Sequence, residues 1–476
     1  MKRSLSEDWL AVCLGLFVFA LSLATFFGVD ALGWSVTTSV WTKPGTILAP
    51  ASRTYAYLSG IVSLIVTYLF LLAVMLAGAW ALRLNLARFA KGFTVVFAIS
   101  YLSWIIGSWA YVAATPDKRA SLHIGWSLNL TNEAGYIVAL IMGLLVGNLF
   151  PIMAARMKEA IRPELYIKTA IVILGGFLGV TAAEQLGLAT SIMFDGLCAI
   201  VVAYLIYWAL VYYVARRFFR FSREWAAPLA SGISICGVSA AIATGSAIRA
   251  RPVVPVMVSS LVVIFAVIEL VALPFMAQAM LGHEPMVAGA WMGLAVKTDG
   301  AAVTSGAVAE SLLRAKALAD YGVQYKPGWI MGVATTIKVF IDTFIGIWAF
   351  ILAWVWSAKI DPKPGTRIKA VEIWERFPKF VLGYLITFAV ILAVGLLTPT
   401  LVPKAKAAMA QANGFRGIFF VMTFFTIGVV SDFRKLWQEG IGKLALVYVL
   451  CLFGFIVWIG LAISWVFFHG IMPPTV

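Results

Sequence analysis

Among the charged residues inside apolar runs that are long enough to cross a membrane, two lysines and two aspartates form two closely spaced pairs. Lys297 and Asp299 are separated by one residue, while Lys338 and Asp342 are four apart and share a helix face. A charge at membrane depth costs roughly 2.5 to 17 kcal/mol depending on the measure used, and such residues usually have a function. Two interpretations are open. The charges pair with one another, or the lysines bind an anion and Asp299 and Asp342 couple its movement to an ion.

Two tracts near these charges consist almost entirely of small and hydroxylated residues, at Ser231–Ile248 and Gly289–Val308. Glycine can interrupt a helix at membrane depth, and the freed backbone N–H groups can then face a ligand. If both tracts are broken helices, two half-helix amino ends can form an anion site without a metal. The alternative is a tightly packed helix interface that binds nothing.

A third tract, Phe424–Phe433, ends a short predicted span over residues 416–431. Short or glycine-interrupted spans are typical of transporter sites, although a short helix packed inside the bundle gives the same pattern.

The candidate substrate-binding residues are the lysines together with the thiol, hydroxyl and glycine positions of the first two tracts. They are Cys236, Gly237, Ser239, Thr244, Gly245, Lys297, Thr298, Ser305 and Lys338. The hydroxyl groups would donate hydrogen bonds to the substrate. Asp299 and Asp342 are the ion-coupling candidates.

Other chemistry is absent from the sequence pattern. The three histidines, His123, His283 and His469, are widely separated and show neither metal-ligand spacing nor a catalytic triad. No phosphate-binding glycine loop of the ATPase type occurs. The sequence therefore predicts neither an enzyme nor an ATP-driven pump, and it predicts no metal and no cofactor.

The composition identifies the elements that must position these residues. The chain has 476 residues, of which 62% are hydrophobic and only 12% charged. A soluble fold cannot bury that much apolar surface, so the class is an all-α polytopic membrane protein. The net charge of +15 falls mostly in short loops, where it meets lipid headgroups, and it does not indicate a nucleic-acid partner.

Apolar runs of about 20 residues predict about thirteen membrane-spanning helices. They cover residues 9–28, 57–82, 92–114, 134–154, 168–184, 189–214, 226–248, 253–280, 287–310, 328–357, 378–398, 416–431 and 443–468. With the N-terminus in the cytoplasm, the inner loops hold about twice as many basic residues as the outer loops. This bias predicts an inner-membrane protein whose N-terminus is cytoplasmic.

Several stretches between residues 130 and 470 resemble the YeiH-type sulfate exporter family of bacterial membrane proteins. The matching stretches are Gly143–Asn148, Ile235–Ala243, Gly289–Gly293, Ala334–Lys338 and the Ile427–Gly428 region. The resemblance implies a secondary transporter with a ten-helix core of two inverted five-helix repeats containing discontinuous helices. It places the repeats at residues 129–285 and 286–476, after a three-helix extension at 1–128 that has no counterpart in the core.

The resemblance and the small-residue pattern disagree about which helices are interrupted. The resemblance implies the seventh and twelfth spans, whereas the two small-residue tracts are the seventh and ninth. The chain also departs from the family pattern at two positions. Lys297 and Thr298 replace a His-Glu pair, and Ile341 followed by Asp342 stands where an Arg is usual.

The leading hypothesis is a secondary active transporter of a small anion, such as sulfate, sulfite, an organic sulfonate or a carboxylate, that works by alternating access. A proton or sodium ion is the expected coupling ion. The alternative is a cation/proton antiporter in which Asp299 and Asp342 are primary and Lys338 is a counter-charge. A passive channel fits broken helices less well. The expected partners are the anion, the coupling ion and membrane lipid, and a homodimer is left open.

Overall fold

The computed structural model describes residues 6–114, 116–119, 121–128, 134–251, 253–360, 374, 378–431 and 442–476. Nearly all of the regular structure in these ranges is helical. The exception is a small antiparallel hairpin of β1 (Val36–Thr38) and β2 (Leu48–Pro50), which lies in the loop after the first helix. The class of polytopic helical membrane protein is therefore supported.

In the described part of the chain up to residue 217 there are nine α-helices. They are α1 (Glu7–Leu23), α2 (Gly60–Ala81), α3 (Leu86–Gly107), α4 (Ala110–Ala113), α5 (Pro116–Arg119), α6 (Ala134–Leu149), α7 (Pro151–Met157), α8 (Pro163–Glu184) and α9 (Leu186–Arg217).

Eleven further α-helices follow within the described residues. They are α10 (Arg223–Ser234), α11 (Val238–Ala247), α12 (Val253–Met280), α13 (Pro285–Ala295), α14 (Asp299–Tyr321), α15 (Trp329–Thr343), α16 (Ile345–Val355), α17 (Phe380–Leu397), α18 (Val402–Val430), α19 (Gly442–Cys451) and α20 (Val457–Phe468). A π-helical turn at Leu452–Ile456 joins α19 to α20.

Ten helical stretches in the described part are long and apolar enough to cross a membrane. The other three predicted spans are helical but take different forms. The fourth is bent by 110° between α6 and α7, and it gives an eleventh crossing if the bent pair is counted as one. The seventh and ninth are each interrupted near their middle. The thirteen simple helices are thus not confirmed, and the inverted repeats stay a prediction.

The expectation that the twelfth span is short and interrupted is wrong within the described residues. Helix α18 is a continuous helix of 29 residues, Val402–Val430, where a short span over 416–431 was predicted. Its first half contains Lys404, Lys406 and several alanines, which lower the hydropathy but favour a helix. Helix α18 therefore shows no interruption as far as Val430. The rest of the third tract, after Ser431, lies outside the described residues.

By internal contacts the chain forms two compact units. The first comprises Met1–Ala189, Arg314–Gln324 and Lys379–Val430, and the second Thr190–Leu313, Tyr325–Pro378 and Ser431–Val476. This division does not test the predicted domain boundaries at 128/129 and 285/286, which stay predictions.

In the first unit, the buried helix α8 packs against α1, α17 and α18. One end of this bundle is held by ion pairs. Lys168 Nζ lies 2.8 Å from Asp8 Oδ1 and 3.3 Å from Glu164 Oε2. The Asp8 carboxylate also accepts a hydrogen bond from the backbone N–H of Lys379 at 3.4 Å. One carboxylate thus connects the starts of α1, α8 and α17.

Glycines allow α6 and α18 to pack backbone against backbone in the first unit. A Cβ added at Gly428 would lie 2.5 Å from the Leu140 carbonyl oxygen and 2.7 Å from the Leu144 backbone nitrogen. A Cβ at Gly143 would collide with the Phe425 carbonyl. Both contacts are with backbone atoms, which cannot turn away as a flexible side chain can. The glycines of this pair therefore set the distance between the two helices.

We expect Gly428→Ala to destabilise the folded protein by about 1–3 kcal/mol, because the new methyl group overpacks a backbone contact. The measurement is the thermal unfolding temperature of the detergent-purified protein. Gly414→Ala is the matched control on the same helix, because a Cβ there meets no described atom within 4 Å. Equal unfolding temperatures for the two variants would contradict the packing argument.

Candidate functional site

The first interruption, in the second unit, lies at Ile235–Gly237, between α10 and α11. Gly237 has φ +71° and ψ −107°, a backbone conformation that L side chains rarely adopt. An added Cβ there would collide with Val262 Cγ1 on α12 and would lie 2.9 Å from the Lys297 carbonyl oxygen. Position 237 therefore requires glycine for two reasons: the backbone conformation of the turn and the close approach of the second interrupted helix.

The second interruption lies at Val296–Thr298, between α13 and α14. Val296 is extended, and α14 restarts at Asp299. The Thr298 hydroxyl accepts a hydrogen bond from the Ala301 backbone N–H at 3.2 Å, as an N-cap does. Both predicted small-residue tracts are therefore broken helices, as the seventh-and-ninth pairing anticipated.

The Lys338 side chain, on α15, joins the two interruptions. Its Nζ donates to the carbonyl oxygens of Ile235, Val296 and Lys297, each at 3.2 Å. Ile235 and Val296 follow the last residues of α10 and α13, where unsatisfied carbonyls give a helix its partial negative charge. One ammonium group, 1% exposed, therefore neutralises the carboxyl ends of two half-helices.

Two carboxylates and a thiol lie next to this ammonium. One ligand atom from each of Cys236, Asp299 and Asp342 lies within 4.8 Å of the others, and all three residues are buried. Asp342 is one helical turn from Lys338 on α15, as its spacing predicted. The two acidic candidates, distant in sequence, are thus brought together. The oxygen atoms suit a proton or a hard cation, while a thiol suits neither sodium nor magnesium.

Lys297 is also fully buried, with its charge directed at protein groups. Its Nζ donates to the Leu294 carbonyl oxygen at 2.6 Å and lies 4.8 Å from the centre of the Tyr207 ring, in cation–π geometry. Its backbone N–H donates to Glu269 Oε2 at 2.9 Å. In this conformation both lysines therefore hold interrupted backbone in place.

Glu269, on α12, is a site residue that the sequence reasoning missed. The residue is 0% exposed, and its Oε1 atom has no hydrogen-bond partner in the described part of the chain. Its carboxylate interacts electrostatically with Lys297 and Lys338. The same criterion that singled out the lysines, a charge inside an apolar run, applies to Glu269 and would have found it.

Of the remaining candidates, Ser239 lies beside the first interruption and the other three lie farther away. Thr244 donates a hydrogen bond of 2.7 Å to the Ser231 hydroxyl, within the contact between α10 and α11. Gly245 packs against Pro255 of α12, and Ser305 is buried about two turns along α14. Ser239 is half-buried at the start of α11. The junction thus contains Cys236, Gly237, Lys297, Thr298, Asp299, Lys338 and Asp342, with Glu269 added.

Comparison with known proteins places the chain in a family. A family model described as conserved hypothetical protein 698 matches residues 91–447. The chain is 43% identical over 474 residues to a UPF0324 membrane protein of Nitrosomonas europaea, covering 99% of this chain and 97% of that one. It is 29% identical to a UPF0324 membrane protein of Rhodopirellula baltica, over 86% of this chain and 68% of the relative.

A UPF0324 membrane protein of Nitratidesulfovibrio vulgaris is also 29% identical, over 82% of this chain and 61% of that protein. No solved structure matches the chain. None of these names refers to sulfate, so the exporter naming implied by the resemblance is not confirmed. The extent of both kinds of match shows that the chain belongs to the UPF0324 family of membrane proteins, the family of conserved hypothetical protein 698.

Proposed function

We propose that the protein is a cation-coupled secondary active transporter that moves a small anion across the inner membrane by alternating access. The observation that carries the proposal is the junction itself. Two interrupted helices meet there around the Lys338 ammonium, beside the buried carboxylates of Asp299 and Asp342. Irregular backbone at membrane depth is tolerated where protein or a cavity covers it, and transporters place their sites at such breaks.

The charges of the junction support coupling to a cation. Among the described residues it contains three carboxyl groups, on Glu269, Asp299 and Asp342, and two ammonium groups, on Lys297 and Lys338. Fully ionised, this set carries one excess negative charge in a buried environment, where an uncompensated charge is costly. Binding one proton or one monovalent cation removes that excess.

The position of the carboxylates favours Asp299 and Asp342 as the coupling pair. Two ionised carboxylates this close repel each other strongly at low dielectric, and a cation held between them relieves that repulsion. The Cys236 thiol on the third side makes a sodium cage incomplete, so we favour the proton.

The anion would bind at the amino ends of α11 and α14, whose half-helix dipoles carry partial positive charge. Ser239 and Thr298 supply hydroxyl groups there, and Lys297 supplies a charge if it leaves the Leu294 carbonyl. Sulfate, sulfite, organic sulfonates and carboxylates are the substrate classes that we propose to test. The sequence pattern of basic loops supports a cytoplasmic N-terminus.

A cation/proton antiporter is the second candidate, favoured by one observation. Both buried lysines donate to backbone carbonyls, while the carboxylates of Asp299 and Asp342 lie close enough together to hold a cation between them. In that function Lys338 is only a counter-charge and no anion is carried.

Flux into proteoliposomes distinguishes the two candidates. We expect saturable uptake of a labelled small anion that depends on an imposed proton gradient, with a sodium gradient as the second condition. Cation-driven proton movement with no anion requirement would support the antiporter. Flux that is neither saturable nor coupled to a gradient would contradict both.

We expect Asp299→Asn to uncouple transport, because the junction then no longer needs a cation for neutrality. Anion exchange at equal pH should persist, while acceleration by a proton gradient should disappear. Asp320→Asn is the control, since this carboxylate lies on the same helix, is exposed and pairs only with Lys316 among the ion pairs of the described residues. An Asp299→Asn protein that retains gradient-driven uptake would remove Asp299 as the coupling group.

We expect Lys338→Met to destabilise the protein by about 3–5 kcal/mol, because it leaves two half-helix ends and the neighbouring carboxylates without their counter-charge. The readouts are the unfolding temperature and the yield of monodisperse protein in detergent. Lys359→Met, at an exposed position of the same unit, should change neither. If the Lys338→Met protein unfolds at the wild-type temperature, the ammonium does not hold the two interruptions together.

A further inference from the structure

A basic cavity lies in the first unit, whereas the interrupted helices belong to the second. Its volume is about 450 Å³, and it lies between the beginning of α3 and α7 with the residues that follow α7. Its lining includes Gly92, Met157 and Glu159, together with basic side chains from both segments.

The lining of this cavity is strongly positive. Four of its side chains are basic, at Arg88, Lys91, Arg156 and Lys158, and all four are exposed. None of them forms an ion pair with any residue that the structure describes. The one acidic lining residue, Glu159, is 4.0 Å from Arg162, which supplies a counter-charge. An anion is the ligand that this charge distribution favours.

The floor of the cavity is formed by a close helix contact. Gly92 on α3 is buried against Met157, and a Cβ at this glycine would lie 3.2 Å from the Met157 carbonyl oxygen. This contact fixes α7 beside α3, with the basic pair of each segment facing the same space. The cavity therefore lies between packed helices, and the four basic residues surround one volume.

The elements around the cavity suit a position at a membrane surface. Helices α3 and α6 pack against each other, and the start of α3 and the end of α6 meet beside α7. If both helices cross the membrane, these two ends lie on the same side of it. Helix α7 turns by 110° from α6, as a helix does when it leaves a crossing to lie along the interface. Phe150 and Ile152 at this turn are 57% and 72% exposed, which suits contact with acyl chains.

We propose that this cavity binds the headgroup of an anionic phospholipid, with the acyl chains along the exposed apolar residues at the start of α7. Basic pockets at the ends of membrane helices bind phosphate headgroups, and guanidinium groups pair with phosphate oxygens in bidentate fashion. The free phosphate ion shares this chemistry but lacks the apolar half of the ligand. The proposal is independent of the transported substrate.

The test measures binding to the full-length protein in a non-ionic detergent. Dioctanoyl phosphatidylglycerol is compared with dioctanoyl phosphatidylcholine and with inorganic phosphate, using native mass spectrometry and thermal shift. We expect phosphatidylglycerol to bind and to raise the unfolding temperature, and the other two to have little effect. Arg88→Ala/Lys91→Ala and Arg156→Ala/Lys158→Ala should each weaken binding about 10-fold.

The control variant is Lys43→Ala/Arg53→Ala, which removes two exposed basic residues of the same unit outside the cavity and should bind like the wild type. Size-exclusion profiles verify that each variant is folded, and Lys91→Gln/Lys158→Gln serves if an alanine pair is not. Equal binding of phosphatidylcholine, or unchanged affinity in the folded cavity variants, would overturn the proposal. Inorganic phosphate binding as tightly as the lipid would also overturn it, in favour of a free-anion site.

Discussion

The second unit depends on one buried ammonium group. Two helices stop in the interior of the unit, and the carbonyl groups at each stop belong to residues that are at most 1% exposed. The Lys338 ammonium group donates hydrogen bonds at both stops, to the carbonyl oxygens of Ile235, Val296 and Lys297. The cost of burying this charge is offset because it meets two helix carboxyl ends and nearby carboxylates together. Without this ammonium group, the carbonyl groups at both interruptions would lose their hydrogen-bond donor and counter-charge.

Much of this arrangement could be predicted from the sequence. The positions of the membrane segments follow from the apolar runs, and the two interruptions follow from tracts of small residues around Gly237 and Thr298. Lys297 and Lys338 stood out because charge is costly in lipid. The spacing of residues in the sequence could not predict the direction in which each side chain points. The sequence left open whether the lysines pair with the aspartates or bind an anion, and in the structure both donate to backbone carbonyls.

The length of α18 and the role of Glu269 were not predicted correctly. Helix α18 looked short because Lys404 and Lys406 lower the local hydropathy, yet alanine and lysine are good helix formers and the helix extends through them. Glu269 was overlooked although it obeys the same rule as the lysines. The proximity of Cys236, Asp299 and Asp342 arises from the tertiary structure, and their separation along the chain does not predict it.

The depth of the Lys338 and Lys297 contacts also sets how each part of the molecule responds to ionic strength. Dissolved salt screens charges over about 8–10 Å in water but does so far less where bulk ions cannot enter. The Lys168, Asp8 and Glu164 cluster is partly exposed and so open to screening. The ammonium groups among the broken helices are enclosed, and an osmotically extreme or saline exterior leaves their attraction to the carbonyls almost untouched.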